Sequence, residues 1–443
     1  MLVREVVRLT HYKLFRSLFV LVGSLLLPLA TLCAMPASGT RGDVPQHKDA
    51  AYNVLESSFA GLATIAKLWE ESFVGTVSSD STYGLQPELV YEYRIAELNR
   101  RSPFPYRYHP LVLKYIRIYA EERRDQVSQM LGLAQLYFPI FREQLDKYQL
   151  PLELVYLSVV ESALNPLAVS KSGAVGLWQF KLNTAEMFDL HVDSFEDERM
   201  DPVRSTEAAC LYLDYLYKVF GNWALALAAY NAGPGTVQRA VQRAGGETDF
   251  WKLLPYLPEA AQNYVPAFIA ASYIFTYHAE HHIETLPPPI TYQEVDTVHI
   301  ADALSFGALA EWTGIPLELL HFLNPRYRQG YVPKPPKGGT VDLLLPREKI
   351  SLFLENADRI HAQSYKVSQN PFPLDKEKRI HLQHQVARGE YLHKIAVQYE
   401  CTVAELEAWN GATKLNIHPG DRLNVWVTPD TYARREKALI GRN

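Results

Sequence analysis

The stretch Val160-Glu161-Ser162-Ala163-Leu164-Asn165-Pro166 ends an apolar segment, and Gly176-Leu177-Trp178-Gln179-Phe180 follows it in this chain of 443 residues. A single acid therefore lies at the end of an apolar run, and glycine-containing sequence that suits a loop comes after it. This order predicts one carboxylic acid placed against a hydrophobic core, beside a cleft that the glycines leave open.

The acid belongs to a predicted helix from Pro151 to Ala163. Proline suits the first turn of a helix, and Leu154, Leu157 and Glu161 are spaced to share one stripe of its surface. Low dielectric on this stripe and the negative end of the helix dipole both disfavour the ionised carboxylate, so we predict a raised pKa for Glu161. An acid that protonates a glycosidic oxygen near neutral pH needs this property. A buried glutamate satisfied by a neighbour fits the helix equally well.

Further motifs follow along the chain. Residues 168–176 are small and polar, which suits a loop that wraps a substrate. Ala228-Ala229-Tyr230-Asn231-Ala232-Gly233 ends a helix in a glycine-rich turn, and Asn263-Tyr264-Val265 comes later. Together with Glu-Ser and Gly-Leu-x-Gln, this ordered set resembles the goose-lysozyme-like catalytic domain of family 1 lytic transglycosylases, in particular the membrane-bound D-type murein enzymes. The resemblance covers about residues 85–280.

The resemblance implies roles for particular residues. It implies that Glu161 is the single acid/base and that the substrate is bound by Ser170, Gln179, Tyr230, Asn231 and Tyr264. The Ser170 hydroxyl is expected near the acetamido group of the sugar, and Tyr264 close to the acid. Trp178 and Tyr230 are aromatic residues in segments that also suit a core, so a packing role stays open for both.

The number of acids bears on the chemistry. A glycosidase with two carboxylates needs a second acid roughly 5 to 9 Å from the first. No second acid lies inside the motifs, and the acidic residues between 189 and 201 are predicted to form a solvated loop and a helix cap. The motifs therefore favour transglycosylation, in which Glu161 protonates the oxygen between N-acetylmuramic acid and N-acetylglucosamine and then deprotonates the muramyl 6-hydroxyl. A lysozyme-type muramidase and a catalytically silent scaffold that binds peptidoglycan remain as alternatives.

No cofactor and no metal are expected. The cluster His278, Glu280, His281 and His282 has spacing that could hold a metal ion, but no further ligands converge on it in the sequence. A hydrated helix end is the preferred interpretation. The net charge of −5 argues against a nucleic-acid partner.

The N-terminus predicts export to the periplasm or cell envelope. An uncharged stretch from Ser17 to Thr40 follows four basic residues, Arg4, Arg8, Lys13 and Arg16. Residues 1–40 are therefore interpreted as a signal peptide or an N-terminal membrane anchor. Cys33 follows a partial lipoprotein-type box, so lipidation of this cysteine is an alternative to cleavage elsewhere.

The C-terminal region has a different pattern. Residues 382–427 are predicted to form a strand, two short helices and a return strand, and they resemble a LysM module. That family binds N-acetylglucosamine chains in a shallow groove. The resemblance implies that the glycan is contacted by Gly389, Glu390, Tyr391 and Asn410.

A second, weaker copy appears when the chain is compared with itself at an offset of 86. Core positions are kept, as in Leu320 and Leu406, and Asn324 corresponds to Asn410. Ala303 replaces the glycine of the first turn, and residues 333–339 lengthen the second loop. We predict a degenerate LysM-like module that packs as structure, with sugar binding as the alternative.

The predicted fold is multidomain, with a mainly α, lysozyme-like (goose-type) catalytic domain and small α+β (βααβ) LysM modules. The predicted boundaries are 1–40 for the signal or anchor, 41–84 for a tether, 85–286 for the catalytic domain with an N-terminal helical brace, 295–346 for the degenerate module, 347–380 for a linker, 381–428 for the LysM module and 429–443 for a tail.

Overall fold

The computed structural model describes residues 55–56, 58–59, 62–65, 88–170, 172–193, 195–335, 338–369, 379–388, 390–399, 401, 403–411, 417–427 and 432. These residues belong to one compact unit, Lys48–Asn443. The predicted signal or anchor, Cys33, most of the predicted tether and nearly all of the predicted tail lie outside them. Within the described ranges, no helix is long and apolar enough to cross a membrane.

The N-terminal part of the described chain is helical. Its α-helices are α1 (Leu62–Ile65), α2 (Glu88–Arg101), α3 (Pro110–Arg117), α4 (Arg124–Lys147), α5 (Tyr156–Ser162), α6 (Leu182–Met187), α7 (Pro202–Phe220), α8 (Trp223–Ala232), α9 (Pro234–Arg243), α10 (Phe250–Leu253) and α11 (Glu259–Tyr277). A π-turn, Ile118–Glu122, joins α3 to α4, and 3-10 turns span Leu152–Val155, Leu254–Tyr256 and Ala279–His281.

Helix α5 carries the acid and lies inside this bundle. It packs against α11, which also contacts α3 and α8, and its Leu157, Val159 and Val160 are buried. The predicted helix is present, but its first turn is the 3-10 turn rather than α-helix. Ala163 and Leu164 end α5 in the left-handed region, with φ of 53° and 63°. The chain therefore turns away directly after Glu161.

Part of the predicted tether is packed rather than extended. Leu55, Phe59, Leu62 and Ile65 are buried in the hydrophobic core of the helical bundle, because they lie at helical spacing on one face. The ring of Phe59 meets that of Tyr119 edge-on at 6.1 Å. The described residues between 55 and 65, called here the N-terminal segment, are thus part of the bundle.

A small α+β module follows the bundle. Its elements are β1 (Val295–Ile300), β2 (Leu304–Ser305), α12 (Phe306–Thr313), α13 (Leu317–Leu323), β3 (Tyr331–Val332), β4 (Val341–Pro346) and α14 (Ile350–Gln369). Strand β1 pairs antiparallel with β4, from Val295 opposite Pro346 to Ile300 opposite Val341. Strand β2 pairs antiparallel with β3.

Helix α14 differs from the prediction of a linker at 347–380. It packs against α12 and β2, and Phe353 and Ile360 are buried in the module's own hydrophobic core. The module therefore extends beyond residue 346, since its core needs this helix to cover it.

The C-terminal module has the predicted βααβ order. It consists of β5 (Ile380–Gln385), α15 (Leu392–Tyr399), α16 (Val403–Trp409) and β6 (Arg422–Val427). The two strands pair antiparallel, from Ile380 opposite Val427 to Gln385 opposite Arg422. A separate core includes Ile395, Leu406 and Val425. The predicted fold class is confirmed: a helical lysozyme-like domain with small α+β modules.

The internal repeat is visible in the contacts of Asn324 and Asn410. The side chain of Asn324 donates to the backbone oxygens of Leu320 and Leu344, at 3.1 and 2.8 Å, and accepts from the amide of Leu344 at 2.7 Å. Asn410 joins its own helix to the backbone of Asn424 in the same way. Residues 324 and 344 are 20 apart and residues 410 and 424 are 14 apart, so the first module has a loop six residues longer.

A pair of glycine substitutions tests the packing of α4. A Cβ atom on Gly132 would lie 2.1 Å from the backbone oxygen of Leu286, whereas the nearest atom to a Cβ on Gly307 would be the Ser305 hydroxyl at 3.6 Å. We expect Gly132→Ala to lower the free energy of unfolding by roughly 1–3 kcal/mol. Gly307→Ala, in helix α12, is the matched control and should be neutral or stabilising by up to about 1 kcal/mol. Equal urea midpoints for the two variants would contradict the packing described here.

Candidate active site

A cavity of about 620 Å³ opens beside the C-terminal end of α5. It is walled by the N-terminal segment, α5, the loop 168–180, α6, α7, α8 and α11. All six residues predicted for the catalytic domain line it: Glu161, Ser170, Gln179, Tyr230, Asn231 and Tyr264. The structure thus brings together residues that are up to 103 positions apart in the sequence. Their individual roles stay predictions.

Glu161 and Tyr264 form the polar centre of the cavity. The Tyr264 hydroxyl, from buried helix α11, donates a hydrogen bond to Oε1 of Glu161. Burial raises the pKa of Glu161 from its ordinary 4.5 to about 7, although the Tyr264 hydrogen bond acts in the opposite direction. The direction predicted from the sequence is therefore confirmed, and burial is its cause. Burial and the nearby Glu161 charge also hold the pKa of Tyr264 well above its usual range, so its hydroxyl stays a donor.

The described part of the cavity lining includes one acid. Among its described lining residues, Glu161 is the one carboxylate and Lys181 the one cation. The acidic residues after the loop do not enter it. Glu196, Asp197 and Glu198 are buried and paired with arginines, so the expectation of a solvated acidic loop was wrong for these three. Asp201 does cap α7, accepting hydrogen bonds from two backbone amides at 2.9 Å.

The loop 168–180 is held by its own hydrogen bonds. The Ser170 amide donates to the oxygen of Ala174 at 2.8 Å, and the Ser170 hydroxyl accepts from the Ala174 amide at 3.0 Å. Val175 and Phe180 exchange both backbone hydrogen bonds at 3.1 Å. The loop therefore presents the Ser170 hydroxyl to the cavity on a closed turn.

Gln179 is fixed by strained backbone and by its own side chain. Its φ is 51°, in the left-handed region that costs a non-glycine residue about 1–3 kcal/mol. The nitrogen of its side-chain amide, Nε2, donates to the backbone oxygens of Gly176 and Ala168 at 2.9 and 3.2 Å. The amide nitrogen is thus used by the loop, and the amide oxygen is the group that can meet a substrate donor.

Only glycine fits at position 176. Its φ is 84°, and a Cβ atom there would lie 1.8 Å from the backbone oxygen of Arg199. Any side chain at this position would push the loop away from the segment that carries Arg199.

The two aromatic residues whose role was open now have defined contacts. Trp178 is fully buried and donates from its indole nitrogen to the Thr206 hydroxyl at 2.8 Å, so it is a packing residue. Tyr230 donates to the backbone oxygen of Trp178 at 2.8 Å, while its ring lines the cavity. Asn231 is exposed on the rim.

Several cavity residues were missed from the sequence. Ser58 lines the cavity and donates to the backbone oxygen of Val160 at 2.6 Å. It lies in the predicted tether, where the sequence indicates a helical stretch but no contact with the cavity. Tyr212 and Tyr215 from α7 add nearly parallel rings, 6.4 Å apart, to the same cavity. No motif of the sequence indicated them.

The four residues predicted to bind glycan in the C-terminal module have different outcomes. Asn410 has its amide occupied by the module itself, as described above, so the structure gives it a packing role. The Glu390 carboxylate accepts from the amide of Ala387 at 2.7 Å and lies 2.9 Å from the Nε2 atom of His384. These contacts also lie within the module. Tyr391 is 47% exposed. Gly389 lies outside the described residues.

The histidine cluster after α11 has partners within the protein. His281 is buried, and its Nε2 atom lies 3.0 Å from the Tyr273 hydroxyl. Burial lowers the pKa of His281 to about 4. Over the described part of the chain, no group of three or more His, Cys, Asp or Glu side chains is arranged to hold a metal ion.

Comparison with known proteins agrees with this geometry. Residues 139–252 match the transglycosylase SLT domain, residues 294–362 match the LysM-like domain of lytic transglycosylase MltD, and residues 384–426 match the LysM domain. The chain thus contains a segment similar to the SLT transglycosylase domain, followed by two segments similar to LysM-type domains. The match at 294–362 includes much of α14, in agreement with the packing of that helix.

This chain aligns with only part of the length of each known relative. Membrane-bound lytic murein transglycosylase D of Escherichia coli (strain K12) is 29% identical over 299 residues, which are 66% of this chain and 64% of that protein. Soluble lytic murein transglycosylase of the same strain is 29% identical over 160 residues, 34% of this chain and 24% of that protein. The crystal structure of the 70 kDa soluble lytic transglycosylase from Escherichia coli aligns with a TM-score of 0.32 and 23% identity, over 53% of this chain and 37% of that one, a similarity from which we draw nothing. This chain thus spans less than two thirds of the first relative.

The raised pKa of Glu161 predicts a pH-dependent stability. Because its pKa is about 7 in the folded SLT domain and 4.5 ordinarily, ionisation is harder in the folded state, and stability falls as pH rises from 4.5 to about 7. Glu161→Gln removes this penalty. We expect it to be more stable than the wild type by roughly 2–3 kcal/mol above about pH 7, with no difference below about pH 4. Urea unfolding of both proteins across this range measures the difference, and a gap that does not change with pH would contradict the assignment.

Proposed function

We propose that this protein is a peptidoglycan lytic transglycosylase. It cleaves the β-1,4 bond between N-acetylmuramic acid and N-acetylglucosamine and leaves 1,6-anhydromuramic acid ends. The single observation that carries the proposal is a cavity whose described lining has one carboxylate, Glu161, with a pKa of about 7. The SLT match and the names of the murein transglycosylase relatives support the same substrate class.

Glu161 acts in two steps. In its protonated form it donates the proton to the glycosidic oxygen, and the bond from that oxygen to C1 of the muramyl residue breaks. The carboxylate then takes the proton of the muramyl 6-hydroxyl as that oxygen bonds to C1. The proton returns to Glu161, the anhydro ring closes and no water is consumed. The neighbouring N-acetyl group holds the cationic intermediate between the two steps.

The pKa of Glu161 suits both steps. A group with a pKa of about 7 is protonated in a large fraction of molecules near neutral pH and is also a useful base once it has lost its proton. The Tyr264 hydroxyl stabilises the carboxylate that forms after the first step, since it donates to Oε1.

A muramidase with two carboxylates is less well supported. Its second acid would lie roughly 5 to 9 Å from the first. The described lining of the cavity offers none. Glu196, Asp197 and Glu198, which follow the loop, are paired with Arg199 and Arg326 instead. A silent scaffold is disfavoured because every residue expected to act on the substrate is present and all six line one cavity.

Substrate binding draws on the rest of the cavity. Ser170, the Gln179 amide oxygen and Asn231 supply hydrogen-bonding groups, and Tyr230, with the rings of α7, supplies surface for the faces of sugars. The C-terminal LysM module binds N-acetylglucosamine chains weakly, with exposed Tyr391 as its most accessible predicted contact. Two weak sites on one chain raise the residence time on a polymer. We propose that the protein is exported to the periplasm or cell envelope, with residues 1–40 either cleaved as a signal, kept as a membrane anchor or lipidated at Cys33.

Tyr264→Phe tests the hydrogen bond to the acid. Loss of the hydroxyl removes a contact that lowers the pKa of Glu161, so this pKa should rise further. Activity that requires protonated Glu161 will then persist to higher pH, and the alkaline limb of kcat/KM should move up by roughly half to one pH unit. Digestion rates of purified sacculi across the pH range give the profile. A limb that stays in place or moves down would contradict the proposed contact.

Glu161→Gln tests the reaction itself. Mass spectrometry of muropeptides released from purified sacculi should show 1,6-anhydro ends, about 18 Da lighter than hydrolysed ends, with the wild type and none with the variant. Glu186→Gln, an exposed acid on α6, is the matched control and should keep the wild-type products. Reducing ends instead of anhydro ends would mean a hydrolase. Retained binding without products would mean a scaffold.

A further inference from the structure

Arg326 of the LysM-like module lies among three carboxylates of the SLT domain. Its Nη2 atom donates to Glu196 at 2.8 Å and to Glu198 at 3.1 Å, and its Nη1 atom donates to Asp201 at 3.2 Å. The arginine side chain is 12% exposed and the carboxylates 10 to 15%. Charges this far from water depend on each other, because a buried charge that loses its partner is strongly unfavourable.

Backbone hydrogen bonds also join the LysM-like module to the SLT domain. The amide of Asp197 donates to the oxygen of Arg326 at 2.9 Å, and the amide of Arg328 donates to the oxygen of Phe195 at 3.0 Å, as between two short antiparallel strands. Just before this segment, Phe322 is buried in the hydrophobic core of the helical bundle. The module is thus attached by apolar packing, backbone hydrogen bonds and one arginine.

The segment that Arg326 holds also supports the cavity loop. The carboxylate of Asp197 binds Arg199 through two hydrogen bonds, of 2.9 and 2.7 Å, and both residues are buried. The Arg199 guanidinium donates to the backbone oxygens of Gly173 and Phe180 at 3.3 and 3.4 Å. Gly176 packs directly on the backbone of Arg199. Residues 195–201 therefore contact the module on one side and the loop 168–180 on the other.

The loops of the LysM-like module contact other parts of the protein. The amide of Ser305 donates to the Ser364 hydroxyl at 2.8 Å, and His361 lies 3.2 Å from the oxygen of Ala303, so α14 covers the turn between β1 and β2. The loop after α13 carries Arg326 and therefore contacts the SLT domain. These contacts favour a supporting role for this module over the alternative of sugar binding.

We propose that Arg326 is a positioning residue for the SLT cavity. By fixing residues 195–201, it keeps Arg199 under the loop that presents Ser170 and Gln179 to the substrate. The LysM-like module then supports the substrate-binding wall from outside, since none of the module's described residues lines the cavity. The consequence for catalysis rests on the proposed function, whereas the structural link does not.

Hydrogen exchange of the full chain tests the link without any assumption about activity. Arg326→Met should speed exchange of the amides of Ser170, Ala174, Val175 and Phe180, which are hydrogen-bonded within the loop. Arg328→Met is the matched control, since the Arg328 side chain has no ion pair within the described residues, and the loop should exchange as in the wild type. Equal exchange in the two variants would overturn the proposal.

A second variant separates loss of the link from loss of the fold. Arg326→Met removes the cation that Glu196, Glu198 and Asp201 share. We therefore combine it with Glu196→Gln and Glu198→Gln, which removes two of the three negative charges. This triple variant should regain wild-type unfolding behaviour but keep the fast loop exchange. Recovery of slow exchange together with stability would show that Arg326 acts on the fold alone, and would overturn the positioning role.

Kinetics on soluble glycan strands give the functional readout. Because the loop carries substrate contacts and not the acid, the triple variant should raise KM roughly threefold to thirtyfold with little change in kcat or in the alkaline pH limb. A fall in kcat at unchanged KM would contradict a role in positioning the loop. If the wild type itself releases no anhydro products, the proposed function fails, while the exchange result still decides the link.

Discussion

The burial of one carboxyl group against a tyrosine hydroxyl is the constraint on which the site depends. Glu161 can stay protonated near neutral pH because the packing of α5 against α11 leaves its side chain half-buried and poorly hydrated, which costs stability when it ionises. Tyr264 limits that cost by donating to the charged form. The helical bundle therefore does more than present an acid, since its packing sets the pH at which the acid changes charge.

The remaining structure keeps the opposite wall of the cavity in place. Backbone in the left-handed region occurs at Ala163, Leu164 and Gln179, around the acid and its loop, where such strain is maintained by the surrounding contacts. Arg199 supports the loop from beneath through two hydrogen bonds, to the backbone oxygens of Gly173 and Phe180. The substrate side of the site thus relies on buried ion pairs that reach into the LysM-like module, while the acid relies on apolar burial.

Much of the site could be predicted because its signals are local. The stripe that includes Glu161 and the glycine-containing turns each lie within a few residues, and the structure brings the predicted set into one cavity. Contacts between distant segments left no such signal. Ser58 looked like part of a tether, the packing of α14 depended on a core formed by other elements, and Arg326 found its carboxylates more than 120 residues away. The hydrogen bonds by which Asn410 joins a helix to a strand were not predicted either, because an amide in a sugar-binding family suggests a ligand contact.

Direct titration of Glu161 tests the central claim. In protein labelled with carbon-13 at the glutamate carboxyl groups, the resonance lost in Glu161→Gln identifies this residue, and its shift can be followed from about pH 3 to about pH 9. Our account predicts a midpoint near 7, higher in Tyr264→Phe. A midpoint near 4.5, as for an exposed glutamate, would mean that burial does not hold this acid protonated and would contradict the account.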